Sequence, residues 1–406
     1  MIAFSPPRMD QKIIDEVVDT LKSGWITTGP KTKKLEKLIS EYCGHPSTLC
    51  VNSGSGGLEL MLMWYGVGPG DEVILPAYTY TATANVIMHT GAKPVFVDVD
   101  HDFNINLEEI RAHITLNTKV IMPVDIGGFP CDYEEINALV RNEEIQKMFQ
   151  AKTEEQEILG RILILSDAAH SLGAEYKGKK TGSLTDVTVF SFHAVKNLTT
   201  SEGGAICLNL PEPFVNENLY KRLNIKSLHG QSKDALAKTQ IGNWRYDVLE
   251  AGYKFNMTDI AAAMGLVEIQ RYEDDMLVKR KYIFDCYADA FSKYDWALVP
   301  TYETADKKSS YHVFMLRING ASEVRRDQII AGIFKREVSV NVHFIPVPMM
   351  SFYAKQGYSI GVAPTAFINY AHEISLPVYY DLTDEQIDTV INAVVESVEE
   401  AFKKQS

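Results

Sequence analysis

The chain has 406 residues, 46% of them hydrophobic, and a formal net charge of −13, which excludes a nucleic-acid binder built on a basic face while leaving room for an anionic ligand held by local donors. Five scattered cysteines, Cys43, Cys50, Cys131, Cys207 and Cys286, form no C-x-x-C pair, so neither a zinc knuckle nor a disulfide framework is indicated and no metal site is expected. Met1 to Pro7 lacks the regions of a signal peptide and no apolar run reaches spanning length, which predicts a soluble, cytoplasmic protein with no membrane partner.

Residues 9–23 and 31–42 read as amphipathic helices flanking the loop from Gly24 to Pro30, which contains Trp25. From about 48 to 210, short apolar runs alternate with helical patterns, with predicted strands at 72–75, 94–97, 119–124, 161–166, 187–192 and 204–208. That alternation predicts an α/β fold, a mostly parallel sheet with helices on both faces. Residues 134–160, rich in Glu, Gln and Lys, read as a solvated helical excursion, and 226–256 as a long functional loop. A long helix is predicted from about 258 to 293, then a smaller α+β part with strands near 311–318 and 338–344 and a final helix over 384–402. The expected division is a large domain over 1–275, including an N-terminal arm, and a small C-terminal domain over 276–406.

Four segments of the large domain carry chemistry together. Asn52 to Gly57 is a small-residue loop opening a helix, where free N–H groups and hydroxyls can hold a phosphate; an ordinary strand-to-helix turn has the same composition. It lacks the Gly-Lys-Ser/Thr ending of a nucleotide P-loop. Pro76 to Asn85 follows a predicted strand and places Tyr80 where it could stack on a flat ring, or pack as a core tyrosine. Asp167, in Ser166-Asp167-Ala168-Ala169-His170, ends a buried strand and needs either a protonated ring nitrogen as partner or a helix to cap. Lys196, in Ser191-Phe192-His193-Ala194-Val195-Lys196, belongs on the surface when judged alone. Desolvated in a cleft it becomes a nucleophile towards carbonyls.

With these motifs in this order, the chain resembles the DegT/DnrJ/EryC1/StrS sugar aminotransferases over essentially its whole length. The resemblance also includes Gly91 to Asp98, His229-Gly230, Gly252 to Asp259 and Ser375-Leu376-Pro377. It implies the type I (aspartate aminotransferase-like) fold of the pyridoxal-phosphate-dependent transferases and pyridoxal 5'-phosphate (PLP) as cofactor. Residue by residue, it implies Lys196 as the Schiff-base lysine, Asp167 on the pyridine nitrogen, His170 near the phenolic oxygen and Tyr80 over a ring face. Ser55, the Gly56 amide and Ser191 would hold the phosphate. A homodimer with shared sites is implied, in which Asn256 or Lys254 comes from the neighbouring chain. His193 would sit in the sugar site, with Trp25 and His229 helping to line it. Two features depart from the family pattern: the 134–160 excursion is longer than usual, and the phosphate loop reads Ser55-Gly56-Gly57 where Thr-Ala-Ala is commoner.

The implied activity is transfer of the amino group of glutamate to a nucleotide-linked keto-sugar. The segment Asn243 to Val248, followed by Gly252 to Asp259, resembles members acting on 4-keto rather than 3-keto sugars. By analogy with the family, the expected substrate is C4 of a UDP-4-keto-6-deoxyhexose, on the route to a surface glycan. The alternatives are a 3-keto (dTDP) sugar aminotransferase, a PLP-dependent sugar dehydratase, which carries histidine at the position of Lys196, and a non-catalytic sensor or scaffold, which need not keep both Lys196 and Asp167.

Overall fold

The computed structural model describes residues 1–233 and 245–403. Helices α1 (Gln11–Ser23) and α2 (Pro30–Cys43) come first, and each ends on a glycine, Gly24 or Gly44, in the left-handed conformation that stops a helix cheaply. The central sheet has seven strands: β1 (Ser47–Val51), β2 (Glu72–Pro76), β3 (Lys93–Val97), β4 (Thr118–Ile121), β5 (Leu163–Asp167), β8 (Val187–Ser191) and β9 (Gly204–Leu208), with the short hairpin β6 (Glu175–Tyr176) and β7 (Lys179–Lys180) outside it. Its order is β1-β9-β8-β5-β4-β2-β3, parallel except where β9 pairs antiparallel with β8 and β1. Every residue of β1, β4, β5 and β9 is buried. A sheet covered on both faces gives apolar runs rather than alternation, which is how these strands read in the sequence.

The register brings the chemistry to the carboxyl ends of two central strands. Asp167 pairs with Val189, so the carboxyl ends of β5 and β8 lie side by side. Gly204 lies opposite both Ser191 and Val51. A Cβ on Gly204 would sit 2.6 Å from Gly54 N and 2.7 Å from Phe190 O, so only glycine lets the start of the next helix approach. That helix, α3 (Gly54–Trp64), is capped by Ser53, whose side chain accepts from Gly56 N.

Beyond the sheet, three expectations change. The 134–160 excursion forms three short helices, Tyr133–Val140, Glu143–Met148 and Glu154–Leu159, and is not simply solvated. Gln156 is buried and donates to Tyr65 O at 2.7 Å, and Gln150 O accepts from the buried Lys119 amine at 2.6 Å. The predicted 258–293 helix is interrupted: Asp259–Ile269 and Leu277–Phe291 are joined by a wide turn over Tyr272–Met276. The turn lets Tyr272 Oη reach Leu172 O while Asp275 pairs with Arg8. Finally, 338–344 is not a strand. Apart from isolated bridges, Val338 to Ile2 and Asn341 to Ser375, it is unpaired, and the strand that joins Phe314–Ile318 instead is Glu373–Leu376.

In the C-terminal part, Phe314–Ile318 runs antiparallel to Ala297–Leu298 and Glu373–Leu376, backed by helices Glu323–Lys335 and Asp384–Lys403. Its core is continuous with that under α2 and β8, one cluster running from Leu35 to Ala401. The ends of the 226–256 segment pair with each other through bridges Leu228–Lys254 and Gln231–Val248; Asn243 and Trp244 lie outside the described residues. No helix among the described residues is long and apolar enough to cross a membrane.

Candidate active site

A cavity of about 460 Å³ opens at the carboxyl ends of β5 and β8, where α/β sheets hold ligands. Lys196, Asp167, Tyr80, His170, Ser55, Ser191 and His193 all line it.

Lys196 follows a turn tied by its own N–H to His193 O, and the next residue fixes that turn: Asn197 is buried and donates to Ser310 O at 2.7 Å. Among the described residues the Lys196 amine has no hydrogen-bond or ion-pair partner. Burial brings its pKa down to about 8, against the opposing pull of Asp167. An amine so held is about half unprotonated one unit above neutrality, where an ordinary lysine is almost wholly protonated, and the unprotonated form is the nucleophile.

Asp167 is buried at 7% exposure, and its carboxylate accepts from Thr83 Oγ1 at 2.8 Å and from Ala169 N at 3.2 Å. Burial raises its pKa, with Thr83, Ala169 and Lys196 pulling the other way. No cation lies within 4.0 Å of it among the described residues. A buried carboxylate with only two neutral donors is incompletely compensated, and the N–H of a protonated pyridine ring is the kind of group that completes it.

His170 Nδ1 accepts from Gly127 N at 3.3 Å, which assigns the ring proton to Nε2. Burial, then Lys196 and His343, hold this histidine well below its ordinary pKa, so it stays neutral. Its ring lies 5.9 Å from Phe344 at 28° and 4.5 Å from His312 at 47°, while Tyr80 is 5.6 Å from Phe344. Tyr80 is 58% exposed, an unusual state for a tyrosine beside aromatic neighbours unless its face serves a ligand. The cavity therefore offers a flat slot walled by rings, a carboxylate lacking a cation, a free amine, and a helix start.

At that helix start the donors differ from expectation in one respect. The Gly56 N–H is already given to Ser53 Oγ at 3.0 Å, and Gly56 does not line the cavity. The N–H groups of Gly54 and Ser55, at the first two helical positions, have no carbonyl one turn back to bond, and both residues line the cavity. Together with the Ser55 hydroxyl they are donors turned to the cavity that could receive an anion, while the Gly56 N–H is taken up by the cap.

Four predicted residues lie elsewhere within the chain. Trp25 donates to Thr28 O at 3.2 Å, Asn256 donates to Thr28 Oγ1 at 2.6 Å, and Lys254 donates to Asn256 Oδ1. His229, with φ 62°, is tied through its N–H to Tyr253 O. These form a second cluster beside β1, and none lines the Lys196 cavity. Conversely, sequence reasoning missed Phe4, His312, His343 and Phe344, which do line it. The pairs Tyr311-His312 and His343-Phe344, each beside an apolar run, were the available signal.

A model of the DegT/DnrJ/EryC1/StrS aminotransferase family matches residues 7–395. The uncharacterized protein MJ1066 of Methanocaldococcus jannaschii is 40% identical over 398 residues, 97% of both chains. The spore coat polysaccharide biosynthesis protein SpsC of Bacillus subtilis is 36% identical over 405 residues, 98% of both. Among solved structures, Spr1654 of Streptococcus pneumoniae, named as a candidate sugar aminotransferase, superposes in its PMP-form with a TM-score of 0.95 at 44% identity, over 99% of this chain and 100% of that one. Its PLP-form gives 0.93 at 43%, over 98% and 99%. Helicobacter pylori PseC, an aminotransferase involved in pseudoaminic acid biosynthesis, gives 0.85 at 25%, over 98% and 99%. The chain thus belongs to the DegT/DnrJ/EryC1/StrS aminotransferase family and is a PLP-dependent enzyme.

Proposed function

We propose that this aminotransferase moves the amino group of glutamate to C4 of a UDP-linked 4-keto-6-deoxyhexose, within synthesis of a surface glycan. The observation that carries the transaminase reading is the free Lys196 amine and the cation-lacking Asp167 carboxylate in one ring-walled cavity. The sugar class rests on the names of similar proteins, SpsC and PseC, and the C4 position on the resemblance of the segment around Gly252 to Asp259.

PLP, when bound, supplies an electron sink for the charge left when a carbon next to nitrogen loses its proton. In this reading Lys196 holds the cofactor and, once released, its amine carries the proton between carbon centres; Asp167 keeps the ring nitrogen protonated. His170, as an Nε2–H donor, would hold the cofactor's phenolic oxygen, and Tyr80 would stack on its ring. The Gly54 and Ser55 N–H groups with the hydroxyls of Ser55 and Ser191 hold the phosphate. His193 borders the sugar. The second cluster, Trp25, His229, Lys254 and Asn256, completes the neighbouring subunit's site in a homodimer.

The test is turnover of UDP- and dTDP-linked 3-keto and 4-keto sugars with glutamate. Exclusive use of a 3-keto sugar would sink the C4 assignment, and wild-type activity of Lys196→Ala the whole reading. Mixing inactive Lys196→Ala with inactive Lys254→Ala subunits should restore part of the activity if sites are shared.

A further inference from the structure

Three side chains that the mechanism above does not use form a continuous hydrogen-bonded line into the cavity. His343 lines the cavity, stacked on Phe4 at 5.4 Å and 19° and met edge-on by Phe344 at 4.9 Å. Its Nδ1 bonds the Ser375 hydroxyl at 2.8 Å. Ser375 in turn bonds Glu373 Oε1, and Glu373 Oε2 accepts the His343 N–H at 3.0 Å. Glu373 and Ser375 are both fully buried, at 0% exposure. With Nδ1 committed, Nε2 is the ring nitrogen left for a ligand, and no described residue bonds it.

We propose that Glu373 is a positioning residue which, through Ser375, sets the tautomer of His343 and so decides whether Nε2 donates or accepts a hydrogen bond with the bound sugar. The sugar as ligand rests on the function proposed above; the relay itself does not.

The serine hydroxyl has one proton, and this makes the line a two-state device. With Glu373 neutral, its O–H is given to Ser375 Oγ, the Ser375 hydroxyl is given to Nδ1, and the ring proton sits on Nε2. When Nε2 gives one proton to the cavity, the Ser375 proton passes to Nδ1 and the Glu373 proton passes to Ser375. The ring stays neutral, Glu373 ends as the carboxylate, and one proton in all has left. Nε2 is then a bare acceptor for a sugar hydroxyl.

The surroundings suit such a device. Burial holds Glu373 up to about 8, against the pull of Ser375, the His343 N–H, Arg326 and Arg317. Burial, with Lys196, holds the His343 ring down to about 4, so imidazolium does not compete. Arg317 faces Glu373 as its register partner on the adjacent strand, and Arg326 reaches the Glu373 carbonyl from helix Glu323–Lys335. The buried Tyr78 hydroxyl lies near Glu373 and meets the Phe344 backbone. On the cavity side His343 is met by Lys196, His170 and His312.

The experiment is a pH titration, from 6 to 9.5, of the holoenzyme labelled with ¹⁵N in histidine, following the His343 ring nitrogens assigned by their loss in His343→Gln. The expected result is an exchange of protonated and bare character between Nδ1 and Nε2 with one apparent pKa near 8. It should vanish in Glu373→Gln and Ser375→Ala and survive in Ser375→Thr, which keeps the hydroxyl. Glu373→Gln should also raise KM for the sugar roughly fivefold to tenfold, as loss of one hydrogen bond would. A single tautomer across the range, or a transition that persists in Glu373→Gln, overturns the proposal. A normal transition in an enzyme that turns over no keto-sugar would refute the substrate and support the relay.

Discussion

Thr83→Val is the sharpest test of how Asp167 works. The substitution keeps the side-chain volume but deletes the hydroxyl that stands 2.8 Å from Asp167 Oδ2 and 2.9 Å from Thr79 Oγ1. A hydrogen bond to a buried charged group contributes roughly 1.5–3 kcal/mol. At 1.36 kcal/mol per pKa unit, its loss raises the proton affinity of Asp167 by about one to two units beyond what burial already imposes. The proton shared between Asp167 and the cofactor's ring nitrogen then moves towards the carboxylate, and the electron sink weakens. The expected result is a kcat lower by roughly 10- to 100-fold. Steady-state turnover, with cofactor content checked by absorbance, measures it. A kcat within twofold of wild type at full cofactor occupancy would refute the reasoning, because Asp167 would then not depend on the hydroxyl.

Gly204→Ala places a methyl 2.6 Å from Gly54 N, so the helix start must move; the variant should fold but lose most bound cofactor, and wild-type cofactor content would contradict this. Arg161 and Asp186 form a bidentate pair at 2.7 Å with side chains 5% and 3% exposed. Arg161→Ala strands the buried carboxylate, and denaturant unfolding should show a loss of about 3–5 kcal/mol; a loss under about 1 kcal/mol would mean that water reaches Asp186. Lys196, depressed to about 8 in the folded apoenzyme, ordinarily titrates near 10.5. Between those values the unfolded chain holds the extra proton, so folding gains as pH rises through the window. Apo Lys196→Met should therefore be more stable than apo wild type at pH 7, by up to about 3 kcal/mol, and the difference should shrink towards pH 10. A difference independent of pH would show that the amine is not desolvated.

The fold was most legible where the chain is buried on both sides. The run Leu163 to Asp167 has one physical reading, and its observed ends fall within two residues of expectation. The strand Ser47–Val51 was visible only as an apolar run, because its partner β9 lies some 150 positions away and no turn joins them. Over 338–344 the alternating pattern suggested a strand, but the edge is occupied by Glu373–Leu376, a four-residue strand too short to stand out. At the site, Asp167, His170, Ser191 and Lys196 were readable because consecutive sheet elements deliver them. His312, His343 and Phe344 come from the far side of the cavity, where only tertiary packing determines which residues face inward. Composition marks the helix start at Gly54 to Gly56, but not which of its N–H groups the Ser53 cap takes up.

The cavity wall is assembled from Phe4 and Ser5 at one extreme of the sequence and Leu376 and Val378 at the other. A ribosome makes these residues in order, so the pocket has no complete wall until nearly four hundred positions have left the exit tunnel. Until the strand Glu373–Leu376 has been added, the aromatic slot stays open to solvent on that side.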